Sequence, residues 1–392
     1  MLDLTSKDFI FFDGAQGTML QGYGLEPGRR PDILNLLAPE YVENMQRLYA
    51  DAGSDLICTD TFGCNRRALR PEGKSPEEVI SAAVAVTKRA CGGKAGTVLD
   101  MGPIGEFLEP GGDLTFDDAY DMFREQAVAG WKAGADAVLA ETMSQLQELR
   151  AAILAVRENT PLPVIALMTF TESGSTYAGC APECLALTAK ALGAAATGIN
   201  CSLPPDRLYS IAERIASAAD IPLCVKPNAG MPDDDGSYRI TPEEFAEKMA
   251  PFAALGVKLA GGCCGTTPDF IRAIRKVYAG LTPAAVKRDG SLRICSQSRV
   301  KRADEICPVP DTREMTEESG VLFLPLPDGC PDGEAFSLVS AAQEDSDLPM
   351  CILTRDGSGL DGALRAFCGV AGVRGPEDRI RDTAAKYGAV LI

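Results

Sequence analysis

Short apolar runs recur along the first 280 positions. Each is followed by a polar or glycine-rich turn, then by a stretch whose apolar residues fall at helical spacing. Eight runs have the length of a strand: "FIFFDG" (9–14), "DLICTDTF" (55–62), "TVLDMG" (97–102), "DAVLAET" (136–142), "PVIALMTF" (163–170), "ATGINCS" (196–202), "IPLCVKP" (221–227) and "VKLAGGCC" (257–264). The helices between them announce their starts. "SPEE" (75–78) and "TPEE" (241–244) offer a capping hydroxyl, a proline in the first turn and a glutamate three residues on. "TFDDAYDMFREQAVAGW" sets Phe116, Tyr120, Phe123 and Ala127 on one face. Strands that are apolar throughout and alternate with helices imply a parallel sheet covered on both faces. Eight of them predict a closed (β/α)8, or TIM, barrel rather than an open doubly wound sheet, and no G-x-G-x-x-G follows the first run.

The rhythm breaks after Gly280, where "GLTPAAVKRDGSLR" reads as a linker. Beyond it lie the apolar runs "GVLFLPLP" and "PMCILTRD", a helix expected around 361–368, and the ending "IRDTAAKYGAVLI". The expectation is a barrel over residues 1–285 and a small α/β appendix over 286–392.

Composition narrows the chemistry. A formal net charge of −17 excludes nucleic acid and anionic membrane surfaces as natural partners. No run approaches the ~18 apolar residues of a membrane helix. The first residues lack the basic-then-apolar pattern of a secretory signal, so a cytoplasmic protein is expected, with its 14 cysteines mostly reduced. Nothing in the pattern selects an oligomeric state. The chain has no histidine. Imidazole general bases, Ser-His-Asp triads and His-ligated metals are therefore excluded, and a transition metal would have to use thiolates or carboxylates.

In a (β/α)8 barrel the chemistry sits at the carboxyl ends of the strands. Those ends carry Asp13, Thr59-Asp60-Thr61, Gly102, Glu141-Thr142, Thr169, Asn200-Cys201-Ser202, Asn228 and Cys263-Cys264. Adjacent cysteines do not readily bridge each other, because a vicinal disulfide strains the usual geometry. Counting strands places Cys201 at the end of the sixth and the Cys263-Cys264 pair at the end of the eighth, close enough to share one ion. Three thiolates suit Zn²⁺ and leave a fourth position open. They also make the centre a poor activator of water but a good host for a substrate thiol, which points to thiol alkylation. Glu141 would meet a substrate ammonium, and the backbone of "DGAQGT", including Gly14, Ala15 and Gln16, a carboxylate. Plainer readings stand beside these. Cys58, Cys180, Cys184 and Cys224 fit as small buried hydrophobes, Glu141 as a helix cap or a partner for a lysine, and Asp13 as a turn residue. Lys226 is the single lysine placed for a Schiff-base lyase on the same fold.

The motifs "DGAQGTML" (13–20), "GSDLICTDTFGCN" (53–65), "GADAVLAETM" (134–143), "GINCS" (198–202), "KPNAG" (226–230) and "GGCCGTTP" (261–268) resemble, in order, those of the zinc-dependent homocysteine S-methyltransferases. The likeness is greatest to the homocysteine-binding barrel of the cobalamin-dependent branch. It implies that Cys201, Cys263 and Cys264 hold zinc and that the homocysteine sulfur takes the open position. It further implies that Asp13 and Glu141 place the amino acid end, with Asn200 and Ser202 beside them, and that the product is methionine. Donors in the family are methylcobalamin, S-methylmethionine and betaine. The "GGCCGTTP" motif implies methylcobalamin, carried by a separate corrinoid protein, since residues 286–392 have no room for a second barrel and a cobalamin module. The last residues, "LRAFCGVAGVRGPEDRIRDTAAKYGAVLI", faintly resemble part of a pterin-binding barrel. A different methyl donor, or a non-catalytic zinc-binding subunit of a methyl-transfer complex, are the alternatives. Two departures concern the substrate mouth: Asp60 stands where the family usually has Asn, and Pro204 where it often has Gly.

Overall fold

The computed structural model describes residues 4, 6–26, 28–230, 233, 238–285, 290–306, 309 and 312–392. Its main sheet has eight parallel strands: β1 (Ile10–Phe11), β2 (Leu56–Cys58), β3 (Gly96–Met101), β4 (Ala137–Met143), β5 (Val164–Met168), β6 (Ala196–Asn200), β7 (Leu223–Lys226) and β8 (Val257–Ala260). β1 pairs with β8, and a bridge between Phe12 and Leu56 brings β2 to its other side. The Asp55 N–H donates to the Phe11 carbonyl at 2.7 Å and the Asp13 N–H to the Leu56 carbonyl at 3.1 Å, so the ring closes. The expected (β/α)8 barrel is the observed one.

Strand parity decides which residues face inward. Ile10, Phe12, Leu56, Cys58, Val98 and Leu139 belong to an apolar cluster inside the ring. Their neighbours Phe9, Phe11, Ile57, Leu99 and Val138 belong to the larger cluster under the helices. Cys58 and Cys224 are inward-facing and buried, and Cys180 and Cys184 are buried too, as the plainer reading expected.

Helices α1 (Pro39–Ala52), α2 (Pro76–Cys91), α3 (Phe116–Ala133), α4 (Leu146–Asn159), α5 (Pro182–Ala191), α6 (Pro205–Ala218), α7 (Pro242–Met249) and α8 (Pro268–Tyr278) follow the strands in turn. Both expected caps form. Thr241 and Glu244 make the full reciprocal box, with bonds of 3.2 and 3.0 Å. At the other, Ser75 accepts from the Glu78 N–H, but the Glu78 carboxylate turns to Lys74 at 2.7 Å. The strands are shorter than the apolar runs. β8 stops at Ala260 because the chain then folds over Thr266: a Cβ on Gly262 would lie 2.3 Å from its hydroxyl. That early stop frees Cys263 and Cys264 from the sheet.

The remaining residues form a hairpin, β9 (Arg293–Cys295) and β10 (Val300–Arg302), and a second sheet. In that sheet β11 (Thr316–Glu318) is antiparallel to β12 (Val321–Pro325), which continues in parallel through β13 (Met350–Leu353), β14 (Gly372–Arg374) and β15 (Val390–Leu391). Helices α9 (Asp332–Asp345), α10 (Leu360–Ala366) and α11 (Glu377–Tyr387) connect the parallel strands. The expected 361–368 helix is α10, which starts one residue earlier and ends at Ala366. This sheet docks on the barrel through the buried Arg150 of α4. Its guanidinium donates to the Leu364 and Arg365 carbonyls at 2.8 and 3.1 Å, satisfying the carboxyl end of α10. The expected boundary at 285/286 abuts residues 286–289, which, with that part of the expected linker, lie outside the described residues. No described helix is long and apolar enough to cross a membrane.

Candidate active site

Cys201, directly after β6, and Cys263 and Cys264, after β8, present sulfurs that all lie within 4.8 Å of one another. Cys201 Sγ and Cys264 Sγ are 4.0 Å apart. Tetrahedral zinc with Zn–S bonds of about 2.3 Å holds its sulfurs ~3.8 Å apart, so this trio fits that ion with little rearrangement. Among the described residues it is the one group of three or more Cys, Asp or Glu close enough to hold a metal. Hydrogen bonds from Cys263 and Cys264 pull the Cys201 thiol down toward its thiolate, while the same contacts push the other two up.

The surrounding backbone is held in an unusual shape to do this. Four non-glycine residues among those described have positive φ, and three of them, Thr142, Cys201 and Ser202, sit at the ends of β4 and β6. Such conformations cost about 1–3 kcal/mol each and persist where the surroundings enforce them. Asn200 is fully buried and supplies that enforcement. Its side-chain oxygen accepts from the Thr142 N–H at 2.8 Å, and its amide donates to the Thr142 hydroxyl at 2.8 Å and reaches Cys263 Sγ at 3.9 Å. The Cys201 N–H donates to the Lys226 carbonyl, the Cys263 N–H to that of Pro227, and Thr266 bonds the Cys263 carbonyl at 2.7 Å.

Below the sulfurs lies a charged nest. Lys226 Nζ is 2.7 Å from Glu141 Oε2, with both side chains buried. Asp13 and Asp100 face the same ammonium, as the charges acting on them record. Burial lifts Asp13 to about 6, and Lys226 opposes the rise. Burial also pushes Asp100 well above the usual range, with the Glu141 charge adding to it. Burial works against the Lys226 ammonium, but the groups around it, Cys58 first and then the acids Glu141, Asp13 and Asp100, outweigh it and keep that lysine well above its ordinary value. Three acids therefore share one resident cation. Several acceptors at this rim have no donor: Asp13 Oδ1, Gln16 Oε1, Asp100 Oδ1 and Asn228 Oδ1 are all buried and unpartnered. Buried acceptors rarely go unmatched.

The sequence-predicted residues converge here with different local tasks. Asp13 Oδ2 accepts from the Cys58 N–H at 2.9 Å and from Gln16 at 3.2 Å, and the Gln16 amide also bonds the Cys58 carbonyl at 2.7 Å. Gly14 has no room for a side chain, since a Cβ would come within 2.5 Å of Thr266 and 2.9 Å of the Tyr49 hydroxyl. The Ala15 N–H is already given to Thr266. Ser202 donates to the Phe170 carbonyl at 2.7 Å. Glu141 has the lysine partner that the plainer reading allowed for. Two residues went unread in the sequence. Asp100 shares the inward parity of Val98, and that alternation was the available signal. Tyr238 stands so close over Gly265 that a Cβ there would lie 2.4 Å from its ring. Burial, and then the sulfurs of Cys264, Cys201 and Cys263, raise its hydroxyl pKa. It sits in a loop with no periodic signal.

Asp60 is buried, its Oδ2 has no partner, and burial together with the nearby Asp32 raises it to about 8. At neutral pH it is mainly a neutral acid, a donor and acceptor in the way an asparagine amide is. Its folded-state pKa lies above its unfolded value of 3.8. Its cost to stability is therefore absent below that value and grows as pH rises toward 8. Asp60→Asn should stabilise the protein by about 1–3 kcal/mol at pH 8 and much less at pH 5, at roughly 1.4 kcal/mol per pH unit at most. Urea unfolding at the two pH values checks this. An equal effect at both, or a loss at pH 8, would contradict a neutral Asp60.

The fold and the trio define a class: a (β/α)8 barrel that gathers three cysteine sulfurs at the carboxyl ends of its strands. Residues 10–278 match the family model of homocysteine S-methyltransferase, and the chain belongs to that family. It is 32% identical over 313 residues to the methionine synthase of Mycobacterium leprae (strain TN), covering 74% of this chain and 26% of that protein. To the methionine synthase of Mycobacterium tuberculosis (strain ATCC 25618 / H37Rv) it is 32% identical over 306 residues, covering 72% of this chain and 25% of that one. The chain thus matches about a quarter of the length of these relatives. Among solved structures, the metallated form of the homocysteine methyltransferase MmuM from Escherichia coli superposes with a TM-score of 0.61 at 19% identity, over 70% of this chain and 97% of that one. The oxidised form gives 0.60 at 20% identity with the same coverage. At such identities the likeness concerns the fold.

Proposed function

We propose that the barrel binds homocysteine and methylates its sulfur to give methionine, with zinc held by Cys201, Cys263 and Cys264. The observation that carries this is the pairing of the three-sulfur cluster with unpartnered acceptor oxygens beside it. An α-amino acid bearing a thiol has the complementary groups: a sulfur for the cluster and an ammonium with three donors for Asp13 Oδ1 and Asp100 Oδ1. When bound, zinc would supply Lewis acidity that keeps the acceptor thiol ionised at neutral pH. The chain's own residues do the rest. Asn200 and Thr142 fix the loops that carry the sulfurs. Lys226 holds the Glu141 carboxylate in place through its 2.7 Å contact. Asp13 and Asp100 take the ammonium, and the backbone of the loop at 13–17 faces the carboxylate. The acceptor sulfur's electron pair forms the new S–CH₃ bond as the donor's bond to that methyl breaks, its electrons remaining with the donor.

The donor proposed is methylcobalamin, presented by a separate corrinoid protein; the two curated relatives compared above are methionine synthases. Lys226, held charged against Glu141, is unsuited to a Schiff base, which disfavours the lyase alternative. The purified chain, loaded with zinc, should form methionine from homocysteine and free methylcobalamin. Failure with methylcobalamin and success with S-methylmethionine would replace the donor, and failure with every donor, including a corrinoid protein, would sink the reading.

Asp100→Asn should raise the KM for homocysteine about tenfold with a much smaller change in kcat, because a carboxyl that can ionise against the ammonium becomes an amide that cannot. Steady-state kinetics with varied homocysteine decide it. An unchanged KM would remove Asp100 from the substrate site.

A further inference from the structure

We propose that the C-terminal sheet carries a second ligand site, separate from the sulfur cluster, for a small organic anion with an apolar body. A cavity of about 580 Å³ lies where β12, β13 and β14 end, and the residues just beyond each strand line it. That volume is in the range that holds small-molecule ligands. In parallel α/β sheets, ligands bind at the carboxyl ends of the strands. Here β12 ends into Leu326-Pro327-Asp328, β13 into Thr354-Arg355, and β14 at Arg374-Gly375.

The lining specifies the ligand. Pro325, Leu326 and Leu353 give it an apolar surface, while Arg313, Arg355 and Arg374 give it three guanidinium groups. In a chain of net charge −17, three arginines and a single acid, Asp328, around one cavity is a local reversal of sign. Arg374 is steered by a bond from Nη1 to the Val309 carbonyl at 3.1 Å. The nearby Asp356 carboxylate is occupied elsewhere, accepting from the Gly329 and Ser358 N–H groups at 2.8 and 3.0 Å, and it does not line the cavity. Gly375 keeps the β14 rim low, because a Cβ there would lie 2.6 Å from the Thr354 carbonyl oxygen. Guanidinium forks match phosphate and carboxylate equally well, so the class is an organic phosphate or a multivalent carboxylate.

Calorimetric titration of the full chain with AMP, citrate and adenosine, at physiological salt, tests this. AMP or citrate should bind with Kd below about 1 mM, and adenosine far more weakly. Arg313→Glu and Arg374→Glu should each weaken binding at least tenfold, while Arg381→Glu, which alters an arginine of α11 paired with Glu377, should leave it unchanged. Tight AMP with weak citrate assigns a phosphate ester, and the reverse assigns a carboxylate. No binding of either anion, or equal weakening by all three substitutions, would overturn the site. The readout does not involve homocysteine, so it stands or falls independently of the methyl-transfer reading.

Discussion

Cys263→Ser should lose zinc and methionine synthesis together, each by more than about 100-fold, while far-UV circular dichroism and the unfolding midpoint stay close to those of the parent. The reason is charge and softness rather than size. A serine hydroxyl fills nearly the same space but does not ionise near neutral pH, so the site drops from three soft anionic donors to two. The chain has no histidine to stand in for the lost sulfur. Altering an outer partner of a metal ligand typically costs 10–100-fold, and removing a ligand itself should cost more. Cys263 is neither deep in a packed cluster nor part of β8, so the fold does not depend on it. Cys201→Ser and Cys264→Ser should behave alike. Cys368→Ser, on the C-terminal unit, should keep a full complement of zinc. Metal analysis of the four variants after dialysis against a weak chelator reads the outcome directly. Zinc retained at one per chain in all three site variants would mean that the ion binds elsewhere.

Much of this was legible because a parallel barrel has so few degrees of freedom. Once eight apolar runs are counted, the topology fixes which ends adjoin, and two cysteine-bearing ends two strands apart must meet. The same parity that sends Phe12, Cys58 and Leu139 inward also sends Asp100, Glu141, Asn200 and Lys226 into the mouth. Asp100 was nevertheless passed over, because the end of its strand was read at Gly102. Other features leave no trace in pattern. The left-handed backbone at Thr142, Cys201 and Ser202 occurs at residues that do not advertise it, as glycines would. Tyr238 approaches the sulfurs from an irregular loop. β14 and β15, at three and two residues, are too short to carry a period of their own.

Lys226→Met should destabilise the protein by about 3–5 kcal/mol at pH 8, the range expected when a buried ion pair loses one partner. Glu141 Oε2 would lose its 2.7 Å contact, and Asp13 and Asp100 the one cation that holds them down. The loss should depend on pH with a definite sign. Asp13, already raised to about 6, and Asp100, also raised by burial, would both rise again without the lysine. Acids whose folded-state pKa exceeds the unfolded one favour folding at low pH and oppose it as pH climbs through the folded value. The gap between parent and variant should therefore shrink on going from pH 8 to pH 5.5, as the nest takes up protons in place of the ammonium. Methionine fills the lysine's apolar stem, so a cavity contributes little. Urea unfolding at both pH values separates the terms. A gap of the same size at each pH would show that Lys226 acts through packing, and a gap under about 1 kcal/mol would show that the acids are not held by its charge.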